Sequence, residues 1–318
     1  MLKKYSCGYV AIIGKPNVGK STLLNQFLQK KISITSNKPE TTQKQILGIK
    51  TTEDYQVIFV DTPGLHENLY KKQKNILNKY MGRAVSQALR EVDLILFVVA
   101  GDRWSPDDEA VLKAIEDNNT KNHTSIPVIL VVNKADLVKN KEDLFPFTDN
   151  IKNKYNFTEI FYTSALKKNG LGNLEQKIID YLPTVNNPQE FYFESDRLTD
   201  QNNRQLTAEI IREKVIRLFG AEVPYSIAIE IENFSLAKTK DDQELVRISA
   251  IIWVEKSGQK TIIIGSNGEK IKEVGRSARV DLEKLFYTKV FLQLWVKVKS
   301  NWSDNEQALK SLGFNSFD

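Results

Sequence analysis

The sequence predicts an α/β domain followed by a smaller α+β domain. Through the first 182 residues, apolar strand patterns alternate with amphipathic helical patterns, which is typical of a mostly parallel sheet covered by helices on both faces. After residue 203 the order changes, because two strands directly follow one helix. A chain of 318 residues is also long for a single hydrophobic core. We therefore expect two domains.

The elements of the first domain follow from its hydrophobic pattern. Apolar runs predict strands at 9–13, 45–49, 56–60, 94–100, 127–132 and 159–163. Amphipathic stretches between them predict helices at 72–90, 107–117 and 171–182. Ligands of such sheets bind beyond the carboxyl ends of the strands, so we expect a site there.

Residues 183–203 are rich in proline, asparagine and acidic side chains and lack periodicity, which predicts a linker long enough for domain movement. Beyond it we predict a helix at 204–219, strands at 225–231 and 246–255, and a strand that leads into a glycine loop at 265–268. A helix at 277–287 and a strand at 290–299 complete the pattern. The predicted division is 1–182, 183–203 and 204–318, the last including a C-terminal tail.

Composition is that of a globular protein, with 41% hydrophobic and 27% charged residues. The single cysteine, Cys7, cannot form an internal disulfide and fits a reducing compartment. No run approaches the roughly 18 apolar residues that span a bilayer, so we expect a cytoplasmic protein. The net charge is +5, but residues 256–299 carry ten Lys or Arg against four Asp or Glu. This segregation indicates either an anionic partner or a solvated helix face.

The segment Gly14-Lys-Pro-Asn-Val-Gly-Lys-Ser21 matches the phosphate-loop pattern G-x-x-x-x-G-K-[ST]. It follows a predicted strand and opens a helix, which is the context that such a loop requires. Backbone N–H groups and the helix N-terminus would face the phosphates, Lys20 the β- and γ-phosphates, and the Ser21 hydroxyl a Mg²⁺ ion. The predicted nucleotide-binding residues of this loop are Gly14, Lys15, Pro16, Asn17, Val18, Gly19, Lys20, Ser21 and Thr22.

Base selection is predicted from Asn133-Lys-Ala-Asp136, which follows an apolar strand. The carboxylate of Asp136 can accept both N1–H and N2–H of guanine, a pair that adenine lacks, and such edge recognition can discriminate by roughly 10⁴–10⁵. The stem of Lys134 can lie along the base, and Asn133 can brace the loop. A charged helix cap after a strand is the structural alternative, and a P-loop kinase or ATPase is the rival enzyme class.

These motifs resemble the translation-factor-type P-loop GTPases. The resemblance implies that Asp61, in Asp61-Thr-Pro-Gly64, holds a Mg²⁺-bound water and that the Gly64 N–H meets the γ-phosphate. It also implies a Mg²⁺ ligand in the loop after the first helix, which we place at Thr42 with Thr41 as the second choice. Lys20, Thr42, Asp61 and Gly64 are therefore the expected catalytic residues.

The resemblance extends to a last guanine loop at Ser164-Ala-Leu166. Leu166 stands where a polar residue is common, but the backbone N–H of Ala165 would still contact guanine O6. These three residues complete the predicted nucleotide-binding set.

Water activation is expected to depart from the glutamine mechanism of many GTPases, because the residue after Asp61-Thr-Pro-Gly64 is Leu65. Leucine can neither donate nor accept a hydrogen bond, so it cannot align the attacking water. In several relatives a phosphate-loop asparagine binds a monovalent cation, and we expect Asn17 to bind K⁺ in this way. His66 could act as a base, but we favour a solvent-facing histidine.

The second glycine loop, Gly265-Ser-Asn-Gly268, resembles the GxxG loop of bacterial-type KH domains, and this resemblance implies an α-β-β-α-α-β order. Such loops clamp about four nucleotides of single-stranded RNA. A tight turn is the structural alternative. The predicted RNA-binding residues are Ile263, Ile264, Gly265, Ser266, Asn267, Gly268, Lys270, Lys272 and Arg276.

The whole set of motifs closely resembles the Era family of bacterial ribosome-assembly GTPases, in which a GTPase core precedes a type II KH domain. The segments that carry the resemblance are GKPNVGKST, ITSNKPETTQ, DTPGLH, WSPDDE, NKAD, GAEVPYS and LWVKVKSNW. The resemblance implies binding to the 3′ end of small-subunit ribosomal RNA, assembly of the small ribosomal subunit, and nucleotide-controlled release. It further implies peripheral contact with the inner membrane, and we expect a monomer. A binding module in which the GTPase serves only as a switch is the alternative function.

Overall fold

Two separate β-sheets organise the described part of the chain in the computed structural model. It describes residues 4–35, 42–66, 76–101, 103–122, 125–220, 223, 227–238 and 241–314. Within them, the first sheet comprises β1 (Tyr5–Ile13), β2 (Ile46–Thr51), β3 (Tyr55–Asp61), β4 (Leu94–Ala100), β5 (Val128–Asn133) and β6 (Glu159–Tyr162). Their order is β2-β3-β1-β4-β5-β6, and a short β7 (Thr184–Val185) pairs with β1.

The first sheet is mostly parallel, as predicted, with antiparallel pairing at β2–β3 and at β1–β7. The predicted strand at 94–100 matches β4, and the other predicted strands differ at their ends. The largest difference is the start of β1, which begins at Tyr5 because Ser6, Cys7 and Gly8 continue the ladder with β3. Cys7 is buried there.

The helices of the first domain lie on both faces of its sheet. They are α1 (Lys20–Leu28), α2 (Ile76–Ala88), α3 (Pro106–Asn122), α4 (Leu144–Lys152) and α5 (Leu171–Tyr181). Val10 and Ile12 of β1 pack in the core with α1 and α5, whereas Ala11 and Ile13 pack in the core with α2, α3 and α4. This alternation follows from the two-residue period of a strand. The predicted helix at 72–90 corresponds to α2, and residues 72–75 of that prediction lie outside the described residues.

Much of the predicted linker is bound to the first domain. Beyond β7, the Ile49 N–H donates to the carbonyl of Leu198 at 2.8 Å, and the Leu47 N–H donates to the Asp200 carboxylate at 3.1 Å. Gln56 Nε2 donates to the carbonyl of Phe193 at 2.7 Å. The segment 184–200 therefore passes from β1 across β3 to the edge strand β2 and is not a free tether.

The second domain has a three-stranded sheet with helices packed against one face. Its elements are α6 (Asn203–Phe219), β8 (Ala228–Lys238), β9 (Glu244–Val254), α7 (Ser257–Ile264), α8 (Glu269–Phe286) and β10 (Lys289–Val298). The sheet order is β10-β9-β8, with β8 antiparallel and β10 parallel to β9. This α-β-β-α-α-β order confirms the predicted α+β domain. A 3-10 turn (Trp302–Asp304) and α9 (Glu306–Ser311) follow.

The predicted strand before the second glycine loop is wrong, because residues 262–264 form the end of α7. Gln259 Oε1 accepts hydrogen bonds from the N–H groups of Glu255 and Lys256 at 2.9 Å, which caps the helix start. The β-branched isoleucines favour a strand by local propensity, but packing overrides that preference. The following helix, α8, begins at Glu269 and not at 277.

The two domains contact each other through α2 and the C-terminal segment. Leu77 and Met81 of α2 pack in one cluster with Trp302, Leu309 and Phe314. Within the described residues, no helix has both the length and the apolar character needed to cross a membrane.

Candidate functional site

The phosphate loop lies between the carboxyl end of β1 and the start of α1. Gly19 has φ +100°, and a Cβ at this position would lie 2.4 Å from Asn133 Nδ2, so only glycine fits there. Lys20 Nζ donates to the carbonyls of Gly14 at 2.9 Å and Lys15 at 3.0 Å. Burial lowers the pKa of Lys20 to about 8, against the opposing attraction of Asp61. The loop thus holds a buried cation that an anionic ligand would stabilise.

Three of the predicted Mg²⁺ ligands converge beside this loop. Ser21 Oγ lies 3.0 Å from Thr42 Oγ1 and donates to Asp61 Oδ2 at 2.9 Å. Asp61 is fully buried, and among the described residues its Oδ1 has no hydrogen-bond partner. Two hydroxyls and a carboxylate are hard oxygen ligands of the kind that Mg²⁺ prefers. The residues therefore fit a Mg²⁺ ion, while Thr41, the second choice, lies outside the described residues.

Ser33 belongs to this cluster although its sequence context gave no sign of it. Its Oγ donates to Asp61 Oδ2 at 2.8 Å. Asn25 of α1 holds the turn, because its Oδ1 accepts from the Ile32 and Ser33 N–H groups at 2.9 and 3.0 Å. Burial raises the pKa of Asp61, while Lys20 and the Ser33 hydroxyl act to lower it. Ser33 therefore favours the ionised carboxylate that a cation requires.

The predicted base-recognition loop is tied to both neighbouring loops by Asn133. Its Nδ2 donates to the carbonyl of Val18 in the phosphate loop at 2.8 Å. Its Oδ1 accepts from Thr163 Oγ1 at 3.2 Å and from the Ala165 N–H at 2.9 Å. The predicted bracing role of Asn133 is therefore confirmed.

Beyond Asn133, the turn opens with Lys134 in the left-handed region, at φ +59°. Asp136 follows in a 3-10 turn and is partly exposed, so a base can reach its carboxylate. Ser164 and Asn169 exchange backbone hydrogen bonds at 3.1 Å, which closes the last loop. Leu166 is 73% exposed on that loop.

The Ala165 N–H, which is predicted to contact guanine O6, is engaged in a hydrogen bond within the protein. That N–H already donates to Asn133, and Ala165 is buried. An N–H engaged in a 2.9 Å hydrogen bond is not directed at a ligand. Contact with guanine O6 would require this N–H to turn away from Asn133, so the contact stays a prediction.

The segment that begins at Asp61 is held against the phosphate loop. A Cβ on Gly64 would lie 2.8 Å from the backbone of Pro16, so glycine permits the close approach. The Leu65 N–H donates to the carbonyl of Gly14 at 3.3 Å, and the Leu65 side chain is buried in the core. His66 is half-buried, so its side chain is still partly open to solvent.

Lys15 does not point its side chain at the phosphate site. Its Nζ donates to Asp108 Oδ2 at 2.7 Å and to Ser105 Oγ at 3.0 Å, at the start of α3. Asp108 is fully buried, so the pair anchors the loop to the segment WSPDDE. Only the backbone of Lys15 is therefore available to a nucleotide.

The second glycine loop lies between α7 and α8. Gly265 and Gly268 both have positive φ, at +69° and +75°, which other residues rarely adopt. Lys270, Lys272 and Arg276 are exposed on the first turns of α8. A groove of about 310 Å³ lies between this helix and β10.

The predicted RNA contact of Ile263 is wrong, because this side chain is fully buried in the core of the second domain. It cannot contact RNA without unfolding α7. Ile264 is half-buried beside the glycine loop. The exposed cations and the loop backbone remain the groups that can meet a phosphate chain.

Fold and geometry together define a P-loop GTPase that carries a KH domain. The family model described as "50S ribosome-binding GTPase" matches residues 9–134, and the model described as "KH domain" matches residues 222–303. GTPase Era of Coxiella burnetii (strain Dugway 5J108-111) is 48% identical over 313 residues, which cover 98% of this chain and 99% of that protein. GTPase Era of Haemophilus influenzae (strain PittGG) is 47% identical over 311 residues, covering 98% and 97%.

Solved structures agree with the sequence matches. A crystal structure of Era with MgGDPNP and nucleotides 1506–1542 of 16S ribosomal RNA superimposes with a TM-score of 0.89 at 39% identity, covering 98% of this chain and 100% of that one. An Aquifex aeolicus Era variant bound to GDP and AlF₄⁻ gives a TM-score of 0.87 at 38% identity over the same shares. The chain belongs to the Era family of GTPases.

Proposed function

We propose that this protein hydrolyses GTP and binds small-subunit ribosomal RNA near its 3′ end, and that it acts in assembly of the small ribosomal subunit. The observation that supports this most is the pairing of a complete guanine-nucleotide site with a GxxG loop in one chain. The Era structure similar to this chain contains a GTP analogue with magnesium and a 16S ribosomal RNA fragment. Nucleotide-dependent switching would time the release of RNA.

The chain's own residues account for GTP binding. The loop amides and the Lys20 ammonium meet the phosphates. The buried Lys20 ammonium thereby gains an anionic partner, which the neutral loop carbonyls do not provide. Asp136 accepts the paired protons of the guanine edge, while Asn133 holds the loops in place. Gly64 lies against the phosphate loop, where its N–H can meet the γ-phosphate.

Mg²⁺ would be held by Ser21, Thr42 and, through water, Asp61. When bound, it would neutralise charge on the β- and γ-phosphates during transfer. Ser33 holds the Asp61 carboxylate in position and favours its ionised form. Phosphoryl transfer depends mainly on such positioning and charge stabilisation.

Buried Leu65 cannot orient the attacking water, so a slow intrinsic rate follows. Asn17, in the left-handed region at φ +65°, is the proposed K⁺ residue. We expect turnover to be faster in K⁺ than in Na⁺ of equal ionic strength, and Asn17→Ala to remove the difference. Equal rates in the two salts for the unmodified protein would exclude the K⁺ site.

RNA binding is proposed at the second glycine loop. Its backbone would clamp about four nucleotides, and Lys270, Lys272 and Arg276 would contact the phosphates. The groove beside α8, with Ile271 and Leu294 in its lining, would receive the bases.

The remaining proposals rest on the family resemblance. We propose a cytoplasmic monomer that contacts the inner membrane peripherally. We also propose that residues 1–182 and 204–318 act as functional domains. With 184–200 bound along the first sheet, movement between the domains would concentrate at residues 201–203.

The test measures both activities on the full chain. We expect hydrolysis of GTP but not ATP, and binding to an RNA with the 3′-terminal sequence of small-subunit ribosomal RNA. A scrambled RNA of equal length is the control, and Gly268→Asp should abolish RNA binding while leaving GTP hydrolysis in the free protein. Preferential ATP hydrolysis would indicate the rival enzyme class, and bound GTP without turnover would indicate a switch module.

A further inference from the structure

The face of the second sheet that lies away from its helices carries exposed aromatic side chains. On edge strand β10, Phe291 is 50% exposed and Trp295 is 42% exposed. Val290 and Val296, each next in sequence to one of these aromatic residues, point to the opposite side of the sheet and pack in the core. Large aromatic rings left on a sheet face indicate a contact surface and not a core.

Around these rings, the face of the sheet that lies away from the helices is polar and positively charged. Arg247 pairs in register with Phe291, and Ser249 pairs with Gln293. The cations of this outward face are Arg247, Lys289, Lys297 and Lys299, and its carboxylates are Glu230 and Glu232. Glu232 lies 3.4 Å from Lys297, and Glu230 accepts from Trp253 Nε1 at 2.7 Å. The remaining charge is positive, which suits a polyanion.

Part of the same face is already covered. Trp253 and Ala228 pack with α2 and the C-terminal segment in the interdomain cluster. The uncovered part is the strip along β10 that contains Phe291, Gln293 and Trp295. Its boundaries are therefore set by the docking of the first domain on one side and the sheet edge on the other.

The strip is continuous with the groove beside the glycine loop. Phe291 lines that groove together with Lys272 and Arg276, and it also belongs to the strip. Because β10 is an edge strand, a chain leaving the groove meets the strip by crossing one strand only.

We propose that single-stranded RNA held by the glycine loop crosses β10 and stacks bases on Phe291 and Trp295. Positions 291 and 295 are about 13 Å apart along a strand, which leaves room for one base over Gln293. Aromatic platforms next to cations bind single strands in this way with little sequence preference. This inference rests on the proposed RNA function and extends the footprint beyond the four nucleotides of the loop.

The experiment compares two RNAs on the full chain, one of four nucleotides that fills only the glycine-loop groove and one of twelve nucleotides. Trp295→Ala should weaken binding of the twelve-mer by roughly tenfold and leave the four-mer unchanged, because stacking on one aromatic ring is lost. Phe291→Ala combined with it should weaken the twelve-mer further. Trp295→Phe, which keeps a ring, should restore most of the affinity.

The matched control is Leu236→Ala, a side chain 80% exposed on the opposite edge strand, which should leave both affinities unchanged. Thermal melts check that each variant is folded. If Trp295→Ala binds the twelve-mer as tightly as the unmodified protein does, the proposal is overturned. If that variant then binds intact small subunits more weakly, the strip contacts a protein partner. Equal losses for both RNAs also overturn it, since the strip would then be part of the loop site. If the Gly268→Asp variant still binds the four-mer, this result would instead refute RNA binding by the glycine loop.

Discussion

At the scale of single residues, the nucleotide site depends on side chains that fix loops as much as on those that face a ligand. Asn133 connects the phosphate loop with the loop at Ala165, and Gly19 provides the space that its amide occupies. The Lys15 ammonium donates a hydrogen bond to Asp108, and the Ser33 hydroxyl donates one to Asp61. Asp136, the residue proposed to select the base, is partly exposed in the same turn.

Asp136→Ala tests base selection directly. In the unmodified protein we expect GDP to bind far more tightly than inosine diphosphate, which lacks the 2-amino group that donates to the carboxylate. The variant should bind both nucleotides weakly and about equally, because neither proton of the guanine edge then has its acceptor. Calorimetry of both nucleotides provides the measurement, with Asp149→Ala, an exposed residue of α4, as the control. Retained preference for GDP in Asp136→Ala would contradict guanine recognition by this residue.

At the scale of elements, local patterns predicted the first domain well because each strand is an apolar run between turns. The β4 strand is buried along nearly its whole length, and its predicted bounds match. The second domain was harder, since residues 262–264 combine β-branched side chains with a helical environment that only tertiary packing supplies. Ser33 was missed for a related reason, because one serine carries no motif and meets Asp61 only after folding.

The corrected helix makes a prediction of its own. Ile263→Ala should lower the free energy of unfolding by about 2–5 kcal/mol, because its fully buried side chain fills the core between α7 and the sheet. Ile264→Ala, at a half-buried position one residue on, should cost clearly less. Urea denaturation followed by circular dichroism measures both. A larger loss for Ile264 than for Ile263 would reverse the assignment of inward and outward faces.

At the scale of the whole molecule, charged side chains join the two domains close to the nucleotide site. Glu213 of α6 is fully buried and pairs with Lys31 after α1 at 2.5 Å and with Arg217 at 2.6 Å. Arg217 Nη2 also donates to the carbonyl of Thr35 at 2.9 Å, and Lys44 Nζ donates to the carbonyl of Leu312 at 3.1 Å. The first-domain partners Thr35 and Lys44 lie on either side of Thr42, the predicted Mg²⁺ ligand. The segment around that ligand is therefore attached to the second domain at both ends.

This arrangement predicts that GTP and RNA binding are coupled through Arg217. If the γ-phosphate orders the segment around Thr42, as in other GTPase switches, the order favours one placement of the second domain. RNA affinity should then differ between the GTP-analogue and GDP forms by roughly 5- to 150-fold, the usual range for coupled sites. Arg217→Ala removes the hydrogen bonds to Thr35 and the ion pair with Glu213, which keeps its pair with Lys31. The ratio of affinities should therefore fall towards one while the protein stays folded. Lys238→Ala, which breaks only an exposed pair with Asp242, is the control and should keep the full ratio. Fluorescence anisotropy with labelled RNA in the two nucleotide forms gives the ratio. Equal RNA affinity in both forms of the unmodified protein would exclude coupling altogether, and an unchanged ratio in Arg217→Ala would exclude this contact as its route.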